Sequence, residues 1–350
     1  MRWESQRAVG EATAAVQPLP GMPGLVRTVR SPEFAGMVFH EVLAKSVLNE
    51  VPGGSPLPFR FTVNTFRGCS HACRYCFARN SHTYLEFDAG EDFDRQVVVK
   101  LNVAEVLAQQ LQHPRWQRSP VAMGTNTDPY QRAEGRYRLM PGVIEAFVQA
   151  STPFSVLTKG TLLHRDIPLL GSAAERVEVG VGVSLALLDP QLQHRLEPGT
   201  PSPRARLELV RALREAGLPC SVFVAPVLPH LTDSVAALDA LLGEVAGAGA
   251  SGVAMVPLHL RPGTRQWFLR WLAEARPDLL SRYEQLYSGG AYVDASYRRL
   301  LAQRWGPLLR RHGLTSRVGR PAATAASVGP PEEVVTNGEG PEQPTQLTLL

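Results

Sequence analysis

Short apolar runs alternate with amphipathic helical patterns through the middle of this 350-residue chain. Six runs predict strands, and they are Phe61–Phe66, Val121–Gly124, Phe154–Thr158, Val177–Leu185, Cys220–Val227 and Val253–Leu258. A repeat of strand and helix favours a parallel sheet with right-handed crossovers. The pattern therefore predicts an α/β protein, built either as an incomplete barrel or as an open doubly wound sheet. In both, functional groups gather at the carboxyl ends of the strands.

The two ends of the chain differ from this middle region. Residues 1–58 are rich in Pro and Gly and only weakly periodic, which predicts an irregular N-terminal extension. Residues 317–350 are rich in Pro, Gly, Glu and Ala, and this composition predicts a disordered tail. The core domain is then predicted at residues 59–316, where a helix containing Trp267 and Phe268 closes the core.

Several predicted helices begin at a residue whose side chain can cap exposed backbone N–H groups. The predicted caps are Asn102 in a capping box with Glu105, Asp189, Ser202, and either Thr232 or Asp233. The helices between the predicted strands therefore have recognisable ends.

Charge and hydropathy restrict the environment and the partners. The net charge is +4, and the last thirty residues hold four Glu and no Lys or Arg, so the rest carries about +8. A modestly basic body suits an anionic substrate such as a nucleic acid. No run of 18 apolar residues and no signal-peptide pattern is present. We therefore expect a cytoplasmic protein with reduced cysteines and no contact with a membrane.

Three cysteines follow the first predicted strand with the spacing Cys-x3-Cys-x2-Cys, at Cys69, Cys73 and Cys76. Thiolates bind soft metals, and three within eight residues converge when the loop wraps round one centre. A 4Fe-4S cluster held by three thiolates keeps one iron without a protein ligand. That iron can bind a small chelating molecule.

Two other interpretations of the cysteines stay open at this point. The first is a structural zinc ion held by the three thiolates and a histidine such as His71 or His82, although zinc sites usually have two closely spaced pairs. The second is a set of incidental thiols. The basic residues around the motif either bind substrate phosphates or form a solvated rim, and they are Arg67, Arg74, Arg79 and His82.

The motif resembles the signature of the radical S-adenosylmethionine (SAM) superfamily. The stretches 64–79 and 124–131 resemble the branch that includes spore photoproduct lyase, and the likeness covers roughly residues 60–300. This resemblance implies a partial (βα)6 TIM-type barrel with a 4Fe-4S cluster on Cys69, Cys73 and Cys76. It implies a lyase-like or radical-transfer enzyme that reductively cleaves SAM to a 5′-deoxyadenosyl radical. A flavodoxin or ferredoxin would supply the electron.

The resemblance also implies which residues contact SAM. Many members carry a Gly-Gly-Glu segment after the second strand; here Thr125, Asn126, Thr127 and Asp128 stand in its place, or form a polar turn. Lys159 is expected at the SAM carboxylate or ribose, Ser184 at the ribose, and Tyr75 near the adenine. Arg204 and Arg206 lie at the start of a predicted helix. They either bind an anion there or are surface residues without a specific role.

Cys220 is predicted to be a small buried hydrophobic residue at the start of the fifth strand. Spore photoproduct lyases use a further cysteine near the segment after the second strand, and no thiol is present there in this chain. We therefore expect SAM chemistry on an unknown substrate, with a nucleic acid or nucleotide as the first hypothesis. The rival hypothesis is a non-catalytic zinc or iron-sulfur module that docks nucleic acid.

Overall fold

The structure is a computed structural model that describes residue 22 and residues 24–52 and 59–316. Its strands are β1 (Leu25–Val29), β2 (Val38–Val42), β3 (Leu48–Glu50), β4 (Phe61–Val63), β5 (Phe66–Arg67), β6 (Gln96–Lys100), β7 (Val121–Met123), β8 (Phe154–Thr158), β9 (Val179–Ser184), β10 (Cys220–Val227) and β11 (Gly252–Pro257). Its α-helices are α1 (Glu91–Arg95), α2 (Val103–Leu111), α3 (Arg132–Tyr137), α4 (Met140–Gln149), α5 (Ile167–Ala174), α6 (Pro190–Leu196), α7 (Pro203–Glu215), α8 (Val235–Gly247), α9 (Thr264–Ala275), α10 (Leu280–Leu286) and α11 (Ala295–Arg311). Short 3-10 helices span Pro32–Phe34, Phe77–Leu85, Thr161–Asp166 and Pro277–Leu279.

The larger sheet has seven strands in the order β11-β10-β9-β8-β7-β4-β3. The six strands from β4 to β11 in this sheet run parallel, and β3 pairs with β4 in the antiparallel direction. Each parallel strand begins within two residues of its predicted start. The α/β class and the six parallel strands are therefore confirmed.

Burial on both faces shapes these strands. Every residue of β9 is buried, and its Val-Gly-Val-Gly-Val sequence alternates large and small side chains. A Cβ at Gly182 would lie 2.9 Å from the Phe223 ring of β10, so the glycine makes room for that ring. Helix α7 covers the sheet with an apolar face that includes Leu207 and Leu213, both of which are buried.

The register aligns the carboxyl ends of β7, β8 and β9. Met123 pairs with Val156, and Thr158 pairs with Val183, one residue before the end of β9. The loops that follow these strands therefore lie side by side at one edge of the sheet. The cysteine motif reaches the same edge, because β4 runs parallel to β7.

A second sheet, ordered β1-β2-β6-β5, corrects two predictions. The sequence predicts an irregular extension over residues 1–58, but the described part of it contains β1, β2 and β3. The predicted strand Phe61–Phe66 divides into β4 and β5, which belong to different sheets. Buried polar residues interrupt the apolar pattern by which β2 could be predicted from the sequence. One of them is His40, whose ring bonds to Thr28 and Gln96. The domain boundaries stay a prediction, and the predicted tail, 317–350, lies outside the described residues.

The predicted caps are partly confirmed. Asp189 accepts from the N–H groups of residues 191 and 192, and Ser202 accepts from that of residue 205. Asn102 begins α2 but makes no cap bond; its amide instead exchanges two hydrogen bonds with the Ala44 backbone. Helix α8 is capped by Ser234, one residue beyond the predicted pair, because Asp233 accepts from Tyr297 and Arg304 of α11.

Candidate active site

The cysteine loop follows β5 and is held by tight turns. Gly68 opens it with a φ of 82°, and a Cβ there would lie 2.7 Å from the Gln96 carbonyl oxygen. The Cys69 carbonyl accepts from the N–H of residue 72, and the Cys73 carbonyl accepts from that of Cys76, each at 3.2 Å. These bonds wind the loop into two successive tight turns.

The three thiols lie close enough to influence one another electrostatically. Cys69 and Cys73 are each 7% exposed, and Cys76 is more open. Cys76 packs against Cys69 and Phe93. Burial raises the pKa of Cys73 well above its usual range, and the charges of Glu197, Cys76 and Cys69 act on it as well. Burial likewise raises the pKa of Cys76 to about 11. A metal binds the thiolate form of cysteine, so metal binding would release the protons of these thiols.

The three thiols are soft donors of the kind that hold an iron-sulfur cluster. Within residues 24–52 and 59–316, no group of three or more His, Cys, Asp or Glu side chains is arranged to hold one metal ion. A four-iron cluster takes its thiolates at separate irons and spaces them more widely. Of the two candidate zinc histidines, His82 bonds away from the thiols, with Nε2 2.8 Å from the Gln96 carbonyl oxygen. His71 lies beside Cys69, and its Nδ1 is 3.3 Å from Asp128.

Two of the basic side chains around the motif are buried, so they neither bind substrate phosphates nor form a solvated rim. Arg79 and His82 have no exposed surface. Arg79 donates to the Cys73 carbonyl at 2.9 Å and pairs with Asp94 at 2.7 Å. Arg79 therefore holds the middle of the cysteine loop in place.

Three predicted SAM contacts lie together at the carboxyl edge. Lys159 Nζ donates to Ser184 Oγ at 2.6 Å and lies 5.8 Å from the centre of the Tyr75 ring. The Tyr75 hydroxyl donates to Glu197. We call Tyr75, Lys159, Ser184, Glu197 and Arg206 the inner network. It joins the cysteine loop to the ends of β8 and β9.

A buried ion pair supports the inner network. Arg206 donates to Glu197 at 2.5 Å and to the Ser184 carbonyl at 3.0 Å, and neither charged side chain is exposed. Burial alone would raise the pKa of Glu197, but the charges of Arg206 and Lys159 lower it to about 2. Arg206 is thus a buried partner and not a surface residue, whereas Arg204 is 88% exposed beside Glu208.

The segment after β7 divides into two parts. Asn126 is exposed, and Thr125 Oγ1 is buried without a hydrogen-bond partner. Thr127 donates to the Gly68 carbonyl at 2.8 Å. Asp128 accepts from the Lys159 backbone N–H at 2.6 Å and from the Thr158 hydroxyl at 2.5 Å. The last two residues of the segment therefore already hold neighbouring loops.

Asp128 also positions a histidine against the first cysteine. Burial alone would lower the pKa of His71, but the charges of Asp128 and Cys69 raise it to about 10. His71 is 3% exposed and hydrogen bonds to both partners. The pair fixes one flank of the cysteine loop.

Sequence reasoning missed Glu197 and the role of His71. Nothing near Glu197 forms a motif, and its partner Tyr75 lies 122 residues earlier. Arg206 could have been found, since it lies on the apolar stripe of α7 with Val210 and Leu213. An arginine on such a stripe is buried and needs a carboxylate partner.

Comparisons with known proteins show the family of the chain. The family model of the radical SAM superfamily matches residues 63–241. The chain is 57% identical over 333 residues to the uncharacterized protein Rv2578c of Mycobacterium tuberculosis, covering 94% of this chain and 98% of that protein. It is 24% identical over 206 residues to the uncharacterized protein MJ0683 of Methanocaldococcus jannaschii, covering 58% and 71%. The chain belongs to the radical SAM superfamily.

Solved structures agree with the fold. Spore photoproduct lyase complexed with dinucleoside spore photoproduct aligns with a TM-score of 0.59 at 15% identity, over 78% of this chain and 79% of that one. A mutant of the same enzyme gives a TM-score of 0.60 at the same identity and coverage. The predicted partial (βα)6 barrel is thereby confirmed. Among the described residues, no helix has the length and apolar character needed to cross a bilayer.

Proposed function

We propose that the protein holds a 4Fe-4S cluster through Cys69, Cys73 and Cys76 and reductively cleaves SAM. One observation supports this most strongly: three interacting, largely buried thiols share an eight-residue loop beside Lys159 and Ser184. When bound, the cluster supplies one electron that splits the sulfonium of SAM into methionine and a 5′-deoxyadenosyl radical. The protein's own residues bind SAM, orient it and exclude water.

The inner network supports specific SAM contacts. The Lys159 ammonium suits the SAM carboxylate, the Ser184 hydroxyl suits the ribose, and the Tyr75 ring suits the adenine. Thr125 and Asn126 offer the groups that the structure leaves unbonded or exposed. We propose that Thr127 and Asp128 act mainly by holding the loops that carry these groups.

The substrate is proposed to be a nucleic acid or a nucleotide. The basic body supports this, and so does the likeness in fold to an enzyme solved with a dinucleoside photoproduct. Photoproduct repair itself is disfavoured. The segment Met123–Asn126 has no thiol, and Cys220 lies at the amino end of β10, away from the carboxyl edge.

The test of the proposal is anaerobic reconstitution with iron and sulfide, followed by dithionite and SAM. Formation of 5′-deoxyadenosine supports the proposal. A colourless protein with one zinc per chain supports the rival, a non-catalytic metal-binding module that docks nucleic acid.

Replacing Lys159 with Met should weaken SAM binding about ten- to a hundredfold, since a charge-assisted hydrogen bond contributes about 1.5–3 kcal/mol. Titration calorimetry with the reconstituted protein measures the affinity. The exposed Lys45 provides the control, and Lys45→Met should bind SAM as the wild type does. Equal affinities for both variants would remove Lys159 from the proposed site.

Replacing Cys220 with Ala should leave iron content and SAM cleavage unchanged. Its side chain is 2% exposed, and burial raises the pKa of the thiol to about 12, so it is a neutral core group. Iron analysis and 5′-deoxyadenosine yield measure the outcome. Loss of iron in a folded Cys220→Ala protein would mean that the cluster ligands are wrongly assigned.

A further inference from the structure

The cysteine loop has a second side, which the proposed function leaves unused. Phe77 follows Cys76 directly and is 47% exposed. The Arg261 guanidinium lies 5.7 Å from the centre of the Phe77 ring, and 3.5 Å separates it from the hydroxyl of Tyr292, which is 49% exposed. Exposed aromatic rings around an exposed arginine are typical of an interaction surface.

A second arginine-aromatic group adjoins the first. Arg74, between the second and third cysteines, lies 5.3 Å from the Trp267 ring, and the exposed Arg270 lies 5.9 Å from it. The Thr264 hydroxyl donates to the Cys76 carbonyl at 2.7 Å, which ties the start of α9 to the loop. We call Arg74, Phe77, Arg261, Trp267 and Arg270 the outer face.

The positive charge of the outer face is compensated only in part, because the Asp94 carboxylate acts on Arg74 as well as on Arg79. Within residues 24–52 and 59–316, Arg74, Arg261 and Arg270 make no ion pair. Nearby acids are already engaged, since Asp94 pairs with Arg79 and Glu91 pairs with Arg95. Asp88 and Asp92 accept from backbone N–H groups at residues 90 and 88. Arg261 and Arg270 are therefore exposed arginines beside aromatic rings, whereas Arg74 is half-buried against Trp267.

We propose that the outer face docks an acidic one-electron carrier protein, one with a flavin or an iron-sulfur centre. The inference rests on the proposed function, which needs one electron from outside for each SAM cleaved. Cys76 is the most open of the three cysteines, and the outer face adjoins it, so a carrier docked there has a short path to the cysteine loop. The carrier is oxidised by one electron, the centre on the three cysteines is reduced by one electron, and no atoms move.

The arrangement favours a carrier over a nucleic acid on this face. Neighbouring residues of the cysteine loop belong to different sides of it. Tyr75 is part of the inner network, whereas Arg74 and Phe77 are part of the outer face. A substrate must reach the SAM carbon on the inner side. A nucleic acid stacked on Phe77 would present its bases to the wrong side of the loop.

The test compares the variant Arg261→Glu/Arg270→Glu with wild type and a matched control. Arg115 supplies the control, because it is exposed, makes no ion pair among the described residues and precedes β7 at the opposite end of the sheet. Reconstituted proteins are titrated with an acidic flavodoxin and an acidic ferredoxin by biolayer interferometry. The 5′-deoxyadenosine rate is then measured with dithionite and with subsaturating reduced carrier.

The double variant should bind the carrier at least about tenfold more weakly, and its carrier-supported rate should fall by a similar factor. Its dithionite-supported rate and brown colour should match the wild type, and so should every property of Arg115→Glu. Carrier binding by the wild type should weaken with salt.

Four results would overturn the inference. They are unchanged carrier binding in the double variant, equal losses with dithionite and with carrier, binding of neither carrier by the wild type, and loss of single-stranded oligonucleotide binding in place of carrier binding. Failure of the proposed function looks different. The wild type would then make no 5′-deoxyadenosine with dithionite, while the binding titrations would still report on the outer face.

Discussion

Replacing Cys73 with Ala should give a colourless protein that makes no 5′-deoxyadenosine. Cys73 is the central ligand of the proposed cluster, it is 7% exposed, and it interacts electrostatically with both other cysteines. Two thiolates cannot fix the cluster with one iron open, so iron should fall from about four per chain to below one. Iron and sulfide analysis, visible absorption and the SAM cleavage assay measure the loss.

Folding controls separate loss of the ligand from loss of the structure. Circular dichroism should show the same helix content in Cys73→Ala as in unreconstituted wild type, because the loop is held by Arg79 and by backbone bonds. A folded Cys73→Ala protein that keeps its colour and cleaves SAM would contradict the ligand assignment.

Replacing Glu197 with Gln should lower the free energy of unfolding by about 3–5 kcal/mol. Glu197 and Arg206 are both fully buried, and the change leaves the Arg206 charge without its partner. Urea unfolding measures the effect. The exposed pair Arg204–Glu208 gives the matched control, since Glu208→Gln should cost less than about 1 kcal/mol.

A second substitution tests the cause of that loss. Arg206→Met in the Glu197→Gln background removes the unpaired charge, so it should recover part of the lost stability. No recovery, or a loss below about 1 kcal/mol in Glu197→Gln, would mean that the ion pair does not support the site.

The same pair predicts an acid-dependent loss of stability. The pKa of Glu197 falls from its ordinary value of 4.5 to about 2 in the folded protein. The contribution of a carboxyl group with a lowered pKa is fully present above 4.5 and is lost as the pH falls toward 2. Urea unfolding between pH 5 and pH 3 should therefore show a steeper decline in wild type than in Glu197→Gln. Parallel profiles would contradict the assigned pKa.

Local patterns predicted most of the larger sheet but little of the smaller one. The parallel strands of the larger sheet are continuous apolar runs, so their starts are visible in the sequence. Strand β2 of the smaller sheet carries the polar residues His40 and Glu41, which are buried because partners far along the chain satisfy them. Sequence periodicity carries no information about such partners.

The site shows the same division. The cysteines form a local motif, and Lys159 and Ser184 end apolar strands, so their convergence follows from the parallel topology. Glu197 lies outside any motif, and its role depends on contacts with Tyr75 and Arg206. The sequence predicts Asp128 either as a SAM contact or as part of a polar turn, and the tertiary contacts that engage both of its oxygens are not visible in the sequence.

Electron paramagnetic resonance of the reduced, reconstituted protein tests the central claim most directly. Three cysteine ligands predict about four irons and four sulfides per chain, and a cluster signal that changes when SAM is added, because SAM binds the iron without a protein ligand. A cluster signal that SAM leaves unchanged would mean that a fourth side chain occupies that iron. This result would contradict the proposed binding of SAM to a cluster held by three cysteines.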